Sequence, residues 1–222
     1  MALVVRTWNV FHGNAVPPER GAFLREMVEL VTRDAPDVVC LQEVPVWALS
    51  HLESWSGMQS VGAVAAEPLL RSAELGRWIT EAHHGLLRSA VTGEALAILV
   101  AGRHDVLEET RFAVGPNRVL FGVRLADGPF VWNFHVTGGA SAEAQFARVV
   151  ELAKGDTVVL AGDANLRPPY DLAGFSEPLA GSIDQILVRG LPCSALLAWP
   201  SERRRVAGRL LSDHAPVEAI VG

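Results

Sequence analysis

Cysteine, lysine and long apolar runs are all scarce in this chain, and each shortage removes a class of protein. Of 222 residues only Cys40 and Cys193 are cysteines, both in apolar surroundings and at no paired metal-ligand spacing. A buried, reduced pair in a cytoplasmic protein is the simpler reading of them, with a bridge left open. No window is long or apolar enough to span a membrane. The start, MALVVRTWN, lacks a basic leader and does not read as a signal peptide. Charged residues are only 20% of the chain, which argues against disorder. Positive charge is missing too: the net charge is −6, so the whole protein does not advertise itself as a nucleic-acid binder. Of 19 basic side chains only Lys154 is a lysine. Guanidinium suits bidentate phosphate contacts, but a GC-rich coding bias gives the same excess. The run Arg203-Arg204-Arg205 reads as a solvated loop.

What the chain does have is apolar residues, 50% of the total, enough for a large core in one domain over residues 1–222. LVVRTWNVF (3–11) and DVVCLQEV (37–44) read as buried strands. Between them Phe23, Leu24, Met27, Val28, Leu30 and Val31 fall at helical spacing, stopped by Ala35-Pro36. Residues 45–84 carry Trp47, Trp55 and Trp78, which hint at helices or a lid, and Leu75–Ala82 looks helical. The segments LLRSAV, EALAILVAG, VLEETRFAV, RVLFGVRLA and FVWNFHV follow as a meander. A helix at Ala142–Leu152 then leads to strands TVVLAGD (157–163), SIDQILV (182–188) and APVEAIV (215–221). This mixed order suggests helices flanking two packed sheets.

The strand ends carry polar groups: Asn9, Gln42-Glu43, Asn133 and His135, Asp163 and Asn165, Asp184, then Asp213-His214. Singly each has a plain explanation, as a strand-edge amide, a cap, a turn residue or a satisfied core histidine. Together they place carboxylates at the ends of apolar strands that, Arg6 apart, hold no lysine or arginine to compensate them. Burial there is costly unless a metal, ligand or partner satisfies the charge, and carboxylates gathered without cations suit a divalent metal.

The ordered set TWN, LQE, NFH, GDAN, SID and SDH, each in strand context, resembles the endonuclease/exonuclease/phosphatase superfamily. These are metal-dependent phosphoesterases that include DNase I and the sphingomyelinases, and the resemblance covers residues 7–217. It implies a four-layered α/β (α+β) sandwich of the DNase I type: two packed mixed β-sheets flanked by helices, with the site at one end. By resemblance Glu43 is the principal Mg²⁺ ligand, with Mn²⁺ as a possible substitute. Asn9 stands beside it in the metal shell, and Asp213 is at the metal or a second metal position. Asp163 aligns or deprotonates the attacking water, and Asn165 holds the phosphate or the nucleophile. His214 contacts phosphoryl oxygens or acts as base, with Asp184 orienting its ring. His135 is a second imidazole, stabilising the pentavalent oxygens or protonating the leaving group.

The residue types make independent chemical sense. Anionic ester oxygens repel a nucleophile, and Mg²⁺ offsets that charge with only one or two carboxylates as ligands. An imidazole backed by a carboxylate has a fixed tautomer and works near neutral pH. Three departures stand out: Ala164 where many members have a bulky aromatic, Phe11 where the abasic-site repair branch has an acid, and no counterpart to that branch's catalytic tyrosine, Tyr170 being the only tyrosine. Candidate substrate contacts are Arg88, Arg118, Arg167 and the 203–205 run. Expected partners are a phosphate-ester substrate, with nucleic acid as one form of it, for a monomeric chain. A nuclease-like phosphodiesterase is the leading reading. A small-molecule or lipid phosphomonoesterase or phosphodiesterase, and a non-catalytic binding protein on the same fold, are the alternatives.

Overall fold

Strands buried on both faces organise this molecule. A computed structural model describes residues 2–69, 72–82, 87–170, 172 and 174–222, with the side chains of residues 87–89 outside that description. The strands are β1 Leu3–Asn9, β2 Ala15–Val16, β3 Val38–Val44, β4 Gln59–Ala66, β5 Glu94–Val100, β6 Val106–Gly115 and β7 Arg118–Leu125. They continue as β8 Phe130–His135, β9 Val158–Asp163, β10 Asp184–Arg189, β11 Cys193–Ala198, β12 Arg205–Val206, β13 Arg209–Leu211 and β14 Val217–Val221. The α-helices are α1 Leu24–Thr32, α2 Leu52–Ser56, α3 Ala73–Ala82, α4 Leu87–Thr92 and α5 Ala142–Leu152. One sheet runs β11-β14-β1-β3-β5-β4 and the other β10-β9-β8-β7-β6, while β2, β12 and β13 form a small third sheet.

The large sheets pack face to face. Val5, Val38, Cys40 and Ile98 of the first meet Phe121, Val131, Val159 and Ile186 of the second. On the first sheet's outer face Trp8, Leu41 and Leu99 cover the Met27, Val28 and Val31 face of α1. On the second sheet's outer face Leu120, Trp132, Phe134 and Leu160 pack with Phe146 and Val149 of α5. Helix, sheet, sheet, helix make four layers, as the resemblance implied. Successive strand residues point to opposite faces, and both faces here are covered. Strands such as β5, buried at every position, therefore read as unbroken apolar runs. Each fully buried Val, Leu or Phe contributes roughly 1.5–3 kcal/mol relative to exposure.

Two readings are corrected. LLRSAV is not a strand: its described part lies in α4, which stops at Gly93 with φ +67, the left-handed C-terminal position that glycine favours. EALAILVAG is not in the meander either, because β5 pairs with β3 and β4 of the first sheet. Of those five segments only the last three, β6, β7 and β8, form an antiparallel meander. Residues 45–84 hold a 3₁₀ turn Val46–His51, α2, the edge strand β4 and α3. Trp47 belongs to the outer core, its indole N–H donating to Thr80 at 3.0 Å, whereas Trp78 is exposed. Both cysteines are free thiols, Cys40 buried and Cys193 partly so. Among the described residues no helix is long and apolar enough to cross a membrane.

Two parallel crossovers set up the site. β1 and β3 are parallel and joined through α1; β8 and β9 are parallel and joined through α5. Parallel neighbours end at the same edge, so Asn9, Glu43, His135 and Asp163 arrive together. The antiparallel strands β5 and β10 start at that edge, with Glu94 and Asp184.

Close strand contact at Gly162 makes this arrangement testable. A Cβ there would fall on the Phe134 carbonyl oxygen and crowd the Phe134 ring. Gly162→Ala is expected to destabilise the fold by about 1–3 kcal/mol or more, read as a lower denaturant midpoint. An unchanged midpoint would show that β8 and β9 do not approach as described.

Candidate active site

Register alone assembles half of the site. His135, Asp163 and Asp184 face one another across β8, β9 and β10. In the first sheet Asn9 stands opposite Gln42. Gln42 points between the sheets, donating to Thr7 Oγ1 at 2.9 Å and Asn133 Oδ1 at 2.7 Å. In a regular strand Glu43 would then face the helices. A bulge between Leu41 and Val44, with Glu43 at φ +54, re-aims its carboxylate toward the cleft.

Asn9 joins the sheets at this edge. Its amide nitrogen donates to Glu43 Oε1 and to Asp163 Oδ2, both at 3.0 Å, while Oδ1 accepts the Phe11 N–H at 2.9 Å. Asp163 is fully buried. It also accepts the Asn165 backbone N–H at 2.8 Å and side-chain N–H at 3.1 Å. Asn165 donates its other amide hydrogen to Val136 O at 2.9 Å.

Two imidazoles flank Asp163, and each is held the same way. His214 Nδ1 lies 2.9 and 3.0 Å from the Asp184 oxygens, and His135 Nδ1 lies 2.7 Å from Glu94 Oε1. In both, Nδ1 meets a carboxylate and Nε2 is left to the cleft. His135 Nε2 lies 3.5 Å from Asp163 Oδ2 and 3.8 Å from Glu43 Oε1. Burial opposes charge on His214, but the hydrogen bond and charge of Asp184 lift it to about 9. Burial pushes Asp184 up to about 6, a rise that the His214 contact limits. Burial likewise opposes charge on His135, and Glu94 overcomes it, raising the imidazole. Burial would raise Glu94, yet the His135 hydrogen bond and the nearby Arg118 charge hold it at about 2. Asn165 Nδ2 approaches His135 Nε2 at 3.3 Å, a contact that as a hydrogen bond would need a neutral imidazole. Both amide hydrogens are already committed to Asp163 and Val136, so this contact does not require a neutral ring, and Asp184 and Glu94 favour the charged form of the two imidazoles.

Sequence reading missed Glu94 and His12. Glu94 begins a strand instead of ending one, and its only signal was a carboxylate opening an apolar run after Gly93. His12, buried and at φ +48, places Nε2 3.3 Å from Glu43 Oε2. Other expected residues stand at the margin of the cluster or away from it. Asp213 is half exposed, 3.9 Å from His214 Nε2. Arg118 is bound to both Glu94 oxygens at 3.1 and 3.2 Å, so it backs His135 from behind. Arg167 is exposed and donates to Gly181 O. The Arg88 side chain lies outside the described residues. The 203–205 run is not a solvated loop, because Arg203 stacks 3.6 Å over Trp199 and Arg204 is half buried among backbone carbonyls.

A hard divalent cation suits this donor set. Among the described residues Glu43, Asp163 and Asp184 meet only histidines in ion-pair range, with no lysine or arginine. Glu43 keeps part of its surface open. Asp163, Asp184 and His214 could also converge on an ion, their ligand atoms lying within 4.8 Å. There, however, the ion would compete with the bond between His214 Nδ1 and Asp184, so Glu43 is the better anchor.

No curated protein sequence matches the chain. Among solved structures it is similar to a humanized D. rerio TDP2, with 16% identity, TM-score 0.69, and coverage of 100% of this chain and 99% of that one. It is similar to the human Nocturnin catalytic domain with bound sulfate, with 15% identity, TM-score 0.70, and coverage of 100% and 94%. An endonuclease/exonuclease/phosphatase from Beutenbergia cavernae aligns at 16% identity and TM-score 0.71, covering 99% of this chain and 71% of that one. These likenesses speak to the fold. A family model matches residues 7–214, nearly the whole chain and every strand end described above, and the chain therefore belongs to the endonuclease/exonuclease/phosphatase family of phosphoester hydrolases.

Proposed function

We propose that the chain is a Mg²⁺-dependent phosphodiesterase that hydrolyses a small phosphodiester with water as the nucleophile. The observation that carries this reading is the pair of carboxylate-backed imidazoles, each with Nε2 toward the cleft, on either side of Asp163. Glu43 would hold the metal, with Asn9 fixing that carboxylate. Mg²⁺ bound there would supply charge neutralisation at the phosphoryl oxygens.

The chain's own residues do the rest. Asp163, its oxygens fixed by Asn9 and Asn165, orients the water and takes its proton as the new P–O bond forms. His214, cationic, donates from Nε2 to a non-bridging oxygen as negative charge grows there. His135 gives its Nε2 proton to the departing ester oxygen as that bond breaks, so the products are a phosphomonoester and an alcohol. Substrate size is argued from the arginines: of the candidates for a nucleic-acid groove, Arg118, Arg203 and Arg204 are engaged by other groups of the protein, Arg203 at its surface, while Arg167 and Arg205 are exposed. That favours a single small diester over a polyanion. The monomeric, cytoplasmic setting expected from the sequence is part of the same reading.

Turnover of bis(p-nitrophenyl) phosphate, beside DNA, RNA, nucleotide and lipid diesters, tests it. Wild type is expected to hydrolyse the chromogenic diester with Mg²⁺ and to stop in EDTA. Glu43→Ala is expected to be inactive at unchanged thermal stability; turnover that survives EDTA would sink the metal assignment.

His214→Ala is expected to lose at least roughly 10²-fold in kcat, and Asp184→Asn somewhat less. Because the two act as one unit, the double variant should be little worse than His214→Ala. Multiplicative losses would separate the pair.

Glu94 sets an acid limit on stability. Its carboxyl is held at about 2, below the usual glutamate value. The stabilisation is therefore present above the unfolded pKa of about 4.3 and is lost as pH falls toward 2, amounting to roughly 3 kcal/mol. Urea unfolding of wild type should weaken steeply across that window, and Glu94→Gln should flatten the slope. Equal slopes would remove Glu94 from the account.

A further inference from the structure

The loop that delivers His214 is held by a side chain outside the family's strand-end pattern. Residues 211–214 run from the end of β13 toward β14. Their carbonyls converge on one guanidinium nitrogen: Arg204 Nη1 donates to Leu211 O at 3.0 Å, Ser212 O at 2.6 Å and His214 O at 3.1 Å. We propose that Arg204 is a positioning residue, fixing the 211–214 loop so that the His214 imidazole meets both Asp184 and the substrate.

The loop needs such a hold because it is bent. Ser212 has φ +58, a left-handed conformation that serine rarely takes, and strain of this kind persists only where surrounding contacts over-determine it. From the β1 side, Ser212 Oγ donates to Asn9 O at 2.7 Å and accepts the His214 N–H at 3.1 Å. Trp8 Nε1 donates to His214 O at 2.9 Å. These bonds tie the loop to the strand that carries Asn9. Arg204 ties it in turn to the root of the β12–β13 hairpin, where Arg205 pairs with Leu210. One planar cation thus satisfies three carbonyls that a lone lysine on a flexible stem would hold less firmly.

The inference rests on the phosphoesterase reading, and its test separates the two. Arg204→Met, which keeps the aliphatic stem, is expected to lower kcat by roughly 10–100-fold, the scale of a small misplacement of a reacting group. KM and Mg²⁺ affinity by calorimetry should stay within twofold. Arg204→Lys should recover part of the loss. On a His214→Ala background Arg204→Met should cost nothing further, since Arg204 acts through that imidazole. Amide exchange at residues 211–214 should accelerate selectively in Arg204→Met, and this readout is independent of turnover. A wild type inactive on every diester defeats the phosphoesterase reading while exchange still reports the loop contact. Wild-type kcat in Arg204→Met, an undiminished loss on the His214→Ala background, or unchanged exchange at 211–214 each overturns the role proposed for Arg204.

Discussion

A fully buried carboxylate at the junction of two sheets, Asp163, constrains everything around it. Removing such a charge from water costs several kcal/mol unless hydrogen bonds replace the lost hydration. The replacements come from both sides: Asn9 from the first sheet and Asn165 from the loop after β9. For Asn9 to reach Asp163, the ends of β1 and β9 must meet, which fixes how the two sheets sit against each other. One layer deeper, Asn133 repeats the device, donating to Leu41 O and Ala97 O across the sheet interface at 2.9 Å while accepting from Gln42. Amides bind the sheets at one end, and aliphatic packing binds them elsewhere.

That fixed geometry shows in the backbone. Among the described residues nine non-glycine residues have positive φ, and five of them, Phe11, His12, Glu43, Asn165 and Ser212, lie in the site or its supporting loops. Such conformations cost of order 1–3 kcal/mol each. Their concentration means that packing energy from the four layers is spent on aiming side chains. Glu43 illustrates the exchange: without its bulge the carboxylate would face α1, away from Asn9. The resulting cluster is preorganised, so less reorganisation remains when negative charge develops on a bound phosphate.

The parts legible in the sequence were those with one local meaning. Strands β1, β3, β5 and β9 are buried on both faces, so their apolar runs announced them, and the polar residue closing β1, β3 and β9 marked the site edge. β4 had no such signal, because it is built largely of small residues, with Gly62 exposed and Ala63 its one buried position. α4 read as a strand because Leu, Val and Ala fit either period over so short a stretch. Glu94 escaped notice because its meaning lies in His135, 41 residues away. Arg204 escaped for the same reason: three consecutive arginines look like solvated charge until the fold brings the SDH carbonyls to one of them.

The fate of the arginines also bears on what the site binds. A protein that holds a nucleic acid needs several cations free to meet successive phosphates. Here Arg6 is buried between Asp34 and Glu218, Arg203 is stacked on Trp199 beside the same acids, Arg118 is taken by Glu94, and Arg204 by the His214 loop. Arg25, Arg77 and Arg148 pair with glutamates one turn away on their own helices. Among the described residues, the cleft offers an anion two carboxylate-backed imidazoles, and Glu43 as a partly open carboxylate suited to a metal. That set is the complement of a single phosphate, which accords with the small phosphodiester proposed as substrate.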